Sequence, residues 1–105
     1  MPAYFIVNVR IPDETKRRQY DEYILKVKPI AESYGGRYIA RSEQITTLSD
    51  SWRPDRIIII QFDSKEKIFE WLASPEYSQI ANLRINSVES DAIIVEESEE
   101  LNSTV

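Results

Sequence analysis

The 105 residues include no cysteine and no histidine, so a disulfide framework, a thiolate metal site, a thiol nucleophile and Ser-His-Asp or His-ligated haem chemistry are all excluded. Thirteen Lys and Arg stand against eighteen Asp and Glu, a net charge of −5, yet four of those acids (Glu96, Glu97, Glu99 and Glu100) crowd into the last ten residues. The rest is close to neutral with its basic residues dispersed, which offers counterion-release binding little to work with and argues against nucleic acid as a partner.

The first predicted element is a strand over Ala3 to Ile11. Ala3, Phe5, Val7, Val9 and Ile11 alternate with Tyr4, Ile6, Asn8 and Arg10, giving one apolar and one mixed face. Asp13 then serves as an N-cap, and Tyr20, Tyr23, Ile24, Val27, Ile30, Ala31 and Tyr34 recur at spacings of three and four, one stripe of a helix. Pro29 predicts a kink near Tyr23 to Lys28, and Gly35 with Gly36, the only glycines, ends the helix. A second extended stretch runs from Arg37 to Leu48, with a bulge or a change of direction expected near Ser42 to Gln44. The third strand is Arg56 to Phe62. A helix capped by Asp63 or Ser64 follows and is expected to bury Ile68, Phe69 and Leu72. "SPEY" starts another helical piece, with Ser74 as cap and Pro75 at the first helical position, running through Ile80 and Leu83 toward Val88. Asp91 to Glu97 is the fourth strand.

This order, β-α-β-β-α-β, specifies an α+β, ferredoxin-like domain with helices on one face of an antiparallel sheet. The domain is expected to span residues 1–97, with an acidic, frayed tail over 98–105. Strands three and four are apolar on both sides: Ile57 and Ile59 back onto Ile58, Ile60 and Phe62, and Ile93 and Val95 onto Ala92 and Ile94. Helices cover one face only. At about 25 cal/mol per Å² of apolar surface, leaving the other face wet forfeits several kcal/mol, so a second copy packed against it is expected and the chain reads as a homodimer. "MPAYFIVNVR" has no leader pattern and no segment has the length to span a bilayer, so a soluble cytoplasmic protein without membrane contact is the expectation.

"MPAYFIVNVRIPD", "YGGRYIAR", "WRPDRIIIIQF", "SPEYSQIANLR" and "DAIIVEE", taken in order from Met1 to about Glu97, resemble the domain-of-unknown-function 1330 family of the dimeric α+β barrel superfamily. The resemblance implies sheet-to-sheet dimers with a small cavity in each subunit between sheet and helices. Related families include cofactor-independent monooxygenases, muconolactone isomerases, haem-degrading enzymes and amino-acid-sensing modules. This family has no agreed reaction, and one scaffold hosts many functions.

Seven residues are candidates for ligand binding, each with a plainer structural reading beside it. In "SWRPDR", Pro54 holds Arg53 extended and turns the chain into strand three, with Trp52 as an aromatic lid. The functional reading is that Arg53, with Arg41 from the adjacent strand, presents a guanidinium fork to a carboxylate or phosphate at the cavity mouth. Asn8 can hold a substrate oxygen, as a strand Asn does in relatives that activate oxygen without a metal, but alternation puts it on the dimer face, where it reads as a satisfied interfacial amide. Tyr77 and Arg84, two helical turns apart, share a face and can orient a small polar ligand; a packed Tyr and an exposed Arg is the alternative. Trp71 is a cavity wall or simply core. Tyr20, Tyr23 and Tyr34 read as core residues with wet hydroxyls. Glu66 and Glu70 face together but, without a His, make a poor metal pair, and no metal or cofactor is expected.

The sequence therefore predicts a homodimer that binds a small carboxylate or aromatic ligand and carries out a cofactor-independent oxidation or isomerisation. The competing reading is a noncatalytic dimeric sensor or accessory module. No acid and base pair stands out to decide between them.

Overall fold

The computed structural model describes residues 1–98, and the expected tail beyond Ser98 lies outside the described residues. The elements are β1 (Ala3–Arg10), a 3-10 turn (Glu14–Lys16), α1 (Arg17–Ser33), β2 (Arg37–Ser42), β3 (Arg56–Phe62), α2 (Lys65–Leu72), α3 (Pro75–Ile85) and β4 (Glu89–Glu96). The strands form one antiparallel sheet in the order β2-β3-β1-β4, the ferredoxin-like arrangement. Among the described residues no helix is long and apolar enough to cross a membrane.

Local chemistry sets most of the boundaries. Asp13 accepts from the Thr15 amide at 3.0 Å, Ser64 from the Lys67 amide at 3.3 Å and Ser74 from the Tyr77 amide at 3.1 Å, so each start uses a side-chain oxygen for an orphan N–H. At the end of α1, Gly35 adopts φ 90° and the Gly36 amide returns to the Ala31 carbonyl at 2.9 Å. Gly36 is also required for space: a Cβ there would stand 2.9 Å from both the Ala31 carbonyl and the Phe62 ring.

Several expectations need correction. Pro29 lies inside α1, which runs on as one element as expected, but the Asp13 cap opens a separate 3-10 turn ahead of it. β2 stops at Ser42 instead of running to Leu48; the chain bends at Glu43, where a change of direction was expected, and the register irregularity falls earlier, between Tyr38 and Ala40. α3 ends at Ile85, and β4 starts at Glu89, two residues before the predicted strand. Phe69 is exposed, because α2 turns Ile68 and Trp71 inward instead. Ile68 and Trp71 are three apart and share a face, whereas Phe69, next to Ile68, is rotated away from it.

Strand register sorts the side chains onto two faces. On the inner face Val9 pairs with Arg56 and Ser90, Val7 with Ile58 and Ala92, and Phe5 with Ile60 and Ile94. β2 adds Arg41 beside Ile58 and Tyr38 beside Ile60. The helices close over this face through Tyr20, Tyr23, Val27, Ile68, Trp71 and Tyr77, all buried. Trp71 is central: it stacks on Phe62 at 5.4 Å between ring centroids and meets Phe5 edge-on at 5.2 Å. On the outer face Ile6 pairs with Ile59 and Ile93, Tyr4 with Gln61 and Val95, and Asn8 with Ile57 and Asp91. No helix lies over these residues, and Ile93 and Val95 remain 58% and 43% exposed.

Candidate functional site

The inner face is not fully packed. Between sheet and helices lies a cavity of about 260 Å³. Its floor is made of small side chains, Val7, Val9 and Ala92 among them, while the large rings of Tyr20, Tyr23, Trp71 and Tyr77 hold the helices away from the strands. All four strands and all three helices contribute lining residues, so the space runs across the width of the sheet. Its two margins reach solvent: Ala92 on β4 and Arg41 on β2 are exposed although both line the cavity.

Polar groups gather at the two ends. At the β4 side the Tyr23 and Tyr77 hydroxyls are 2.9 Å apart, Arg84 donates through Nε to the Tyr77 oxygen at 3.3 Å, and its Nη1 donates to Ser90 Oγ at 2.8 Å. At the β2 side Arg41 lies over the Tyr38 ring at 5.4 Å, and Arg56 pairs with Glu43 at 3.3 Å. Glu43 is shared, since it also takes both Nη atoms of Arg17 at 2.9 and 2.6 Å. Arg41 and Arg84 make no ion pair among the described residues. Two buried donors, Arg56 Nε and Trp71 Nε1, have no hydrogen-bond partner, and an orphaned buried donor costs about 1–3 kcal/mol.

Burial sets the protonation of the phenols. It pushes Tyr38 up to about 12, against the opposing pull of Arg41. Tyr23 is raised far above its ordinary value by burial first and by its contact with Tyr77 second. Tyr20 is raised by burial, with the Arg56 charge opposing. These phenols are neutral hydrogen-bond donors at physiological pH. The described lining contains no Asp, Glu, His or Cys, so the cavity offers donors and cations but no base. No cluster of three potential metal-ligating carboxylates occurs among the described residues.

The model of one protein family, Domain of unknown function (DUF1330), matches residues 2–98. The chain belongs to this family. Among solved structures, the RPA0582 protein of unknown function from Rhodopseudomonas palustris is similar at 21% identity and a TM-score of 0.77, over 94% of this chain and 84% of that one. A dimeric ferredoxin-like protein of unknown function from Jannaschia sp. CCS1 is similar at 12% identity and a TM-score of 0.72, over 92% of this chain and 100% of that one. SnoaB, a cofactor-independent oxygenase from Streptomyces nogalater, is similar at 11% identity and a TM-score of 0.64, over 97% and 98%. At these identities the likeness shows the fold. No curated protein matches.

In this DUF1330 chain the predicted site residues part company. Arg41, Trp71, Tyr77 and Arg84 line the cavity. Trp52 and Arg53 do not: Trp52 is 58% exposed, caps nothing, and Arg53 reaches only Asp50 at 3.4 Å. The "WRPDR" turn has a different task. The Asp55 amide donates to the Val9 carbonyl at 2.9 Å and the Asp55 carboxylate accepts from the Ile11 amide at 2.7 Å, which fixes the start of β3 and delivers Arg56 to the inner face. Asn8 stands on the outer face as alternation required, but its Oδ1 is buried without a partner among the described residues, so the amide is not satisfied by them.

The residues missed are Tyr20, Tyr23, Tyr38, Arg56 and Ser90. For Arg56 the signal was present: it alternates with Ile58, Ile60 and Phe62 and so shares their inward face. For Ser90 there was none, because the strand began earlier than its apolar run.

Proposed function

We propose that this chain forms a homodimer through the outer face of its sheet and binds a small aromatic anion, a carboxylate, phenolate or enolate, in the cavity of each subunit. One observation carries the ligand class: Arg41 and Arg84 line a cavity walled by aromatic rings, and neither has a carboxylate partner among the described residues of an acidic protein. A bound anion supplies the missing partner, and the flat rings accept an aromatic body. The dimer is supported by the uncovered Ile6, Ile59 and Ile93 strip and by the dimeric state of the similar Jannaschia protein.

The chemistry this site supports is direct oxidation of an already ionised substrate by dioxygen, with the electron-rich anion as reductant and the Arg84–Tyr77–Tyr23 group holding its oxygen. The fold of SnoaB, a cofactor-independent oxygenase, favours this reading. The lack of a base in the lining favours a second one, a noncatalytic module that senses its ligand. Calorimetric titration with benzoate and salicylate tests the binding: saturable uptake is expected, weakened roughly tenfold or more in Arg84→Gln, since a hydrogen bond to a charged group is worth about 1.5–3 kcal/mol. An absence of any binding sinks the proposal. Oxygen consumption with tetrachlorohydroquinone, which is already a phenolate at neutral pH, separates the two readings: uptake that depends on Arg84 marks the enzyme, and binding without uptake marks the module.

A further inference from the structure

The cavity has two cationic ends, and we infer that it is built for a ligand carrying two acidic or strongly accepting oxygen groups at opposite ends of one flat apolar body, such as a rod-shaped aromatic dicarboxylate or a hydroxyaryl carboxylate. This inference rests on the anion-binding reading above and narrows its ligand class.

The argument starts from the register of the floor. One rung across the sheet is Arg41, Ile58, Val7, Ala92; the next is Arg56, Val9, Ser90. Neighbouring strands lie about 4.8 Å apart, which puts the Arg56 and Ser90 backbones roughly 10 Å from one another and the β2 and β4 backbones roughly 14 Å apart. Arg41 and Arg56 therefore rise from one side of the floor. Arg84 enters from the other, held to β4 by its 2.8 Å bond to Ser90.

What separates the two poles is apolar or aromatic. Val7, Val9 and Ile58 form the floor between them, and Tyr20 and Tyr23 are stacked above with 6.0 Å between centroids. No charged side chain lines this middle section among the described residues. A single compact oxyanion can satisfy one pole only. It would leave the other pole without an anion in a cavity whose described lining holds no carboxylate, and Glu43 beside it is already divided between Arg17 and Arg56. A body with an oxygen group at each end satisfies both and lays its ring against the stacked tyrosines. The orphaned Nε of Arg56 gives the β2 pole a further donor waiting for an acceptor.

The experiment compares three probes on the wild-type chain by calorimetry: terephthalate, phthalate and benzoate. Terephthalate and phthalate have the same charge and composition and differ only in whether the carboxylates point apart or lie side by side. Terephthalate is expected to bind at least about tenfold more tightly than either of the others, an advantage of roughly 1.4 kcal/mol. Arg41→Gln and Arg84→Gln are each expected to reduce terephthalate affinity to the level of benzoate, in variants whose thermal melts confirm folding. Equal affinity for terephthalate and phthalate, or benzoate binding as tightly as terephthalate, overturns the two-pole inference and leaves the single-anion reading intact. Failure of all three to bind overturns both. The wild-type comparison needs no variant, so it stands even where a substitution does not fold.

Discussion

The two faces of the sheet are built from the same residue types and end in opposite situations. On the inner face Val7, Ile58 and Ile60 are buried beneath helices, yet the packing leaves a cavity lined by three arginines. On the outer face Ile6, Ile59 and Ile93 form an apolar strip that none of the described helices covers. Polar groups sit at the two ends of the cavity on the covered face and at the margin of the uncovered one, where Arg10 pairs with Glu89 at 3.0 Å and Arg37 with Gln61 at 3.1 Å. A covered face that keeps space and charge is organised for a small guest; an uncovered face that keeps neither is organised for a flat partner.

The comparison breaks most severely at Trp71, which touches Phe5, Phe62 and Tyr77 and is 1% exposed. Trp71→Ala is expected to cost about 3–5 kcal/mol, read as a lowered midpoint in guanidinium unfolding. A loss below about 1 kcal/mol would mean that the cavity wall is not part of the core. Ile59→Asp, on the opposite face, should leave the monomer folded while abolishing the proposed dimer, seen as a halved mass by light scattering. Were Ile59→Asp to unfold the chain as Trp71→Ala does, the faces would not be independent.

A smaller effect sharpens the inner face. Ser74 is buried; it caps α3 through the Tyr77 amide and donates to the Trp71 carbonyl at 2.7 Å, so it sets the junction from which both ring walls hang. Ser74→Ala is expected to cost about 1–2 kcal/mol in unfolding free energy. Because the junction carries Trp71 and Tyr77, the variant should also weaken benzoate binding. A stability loss with unchanged binding would separate the cap from the cavity.

The same contrast explains what was legible beforehand. Period-two alternation in β1 sorted Asn8 from Val7 and Val9 correctly, and the "SPEY" cap put Tyr77 and Arg84 on one helical face, because both signals are local. The rotation of α2 was not legible: Ile68, Phe69, Trp71 and Leu72 are all apolar, so periodicity alone leaves the inward pair open, and contacts with Phe5 and Phe62 from distant strands decide it. In "SWRPDR" the expectation fell on Arg53, whereas Arg56 is the one that lines the cavity. Arg53 and Arg56 flank one turn; alternation with Ile58 and Ile60 already pointed Arg56 inward, and the docking of Asp55 on Val9 and Ile11 holds it there. The stripe of Tyr20 and Tyr23 read as core, which it is; that their rings also enclose a space follows from Val7, Val9 and Ala92 lying opposite, a pairing that emerges only once the strands are in register.

The smallest effect concerns Glu43, which sits beside the β2 pole without lining the cavity. Its hydrogen bond to Arg17 holds the carboxyl below the ordinary 4.5 against the opposing effect of burial, with the charges of Arg17 and Arg56 adding to the lowering. A carboxyl whose folded value is depressed stabilises the fold fully above its unfolded value, and that contribution is lost as pH falls from about 4.5 through the lowered folded value. The pairs are partly solvent-exposed, so screening limits the contribution to about 0.5 kcal/mol. Glu43→Gln should therefore melt slightly below the wild type at pH 7, with the gap closing as both are acidified past that range. The substitution also removes the one carboxylate paired with Arg56 among the described residues, so it should tighten terephthalate binding at neutral pH by freeing that guanidinium for the ligand. Weaker binding in Glu43→Gln would instead assign Glu43 the role of aiming Arg56, and the strength of the β2 pole would then depend on the ion pair being intact.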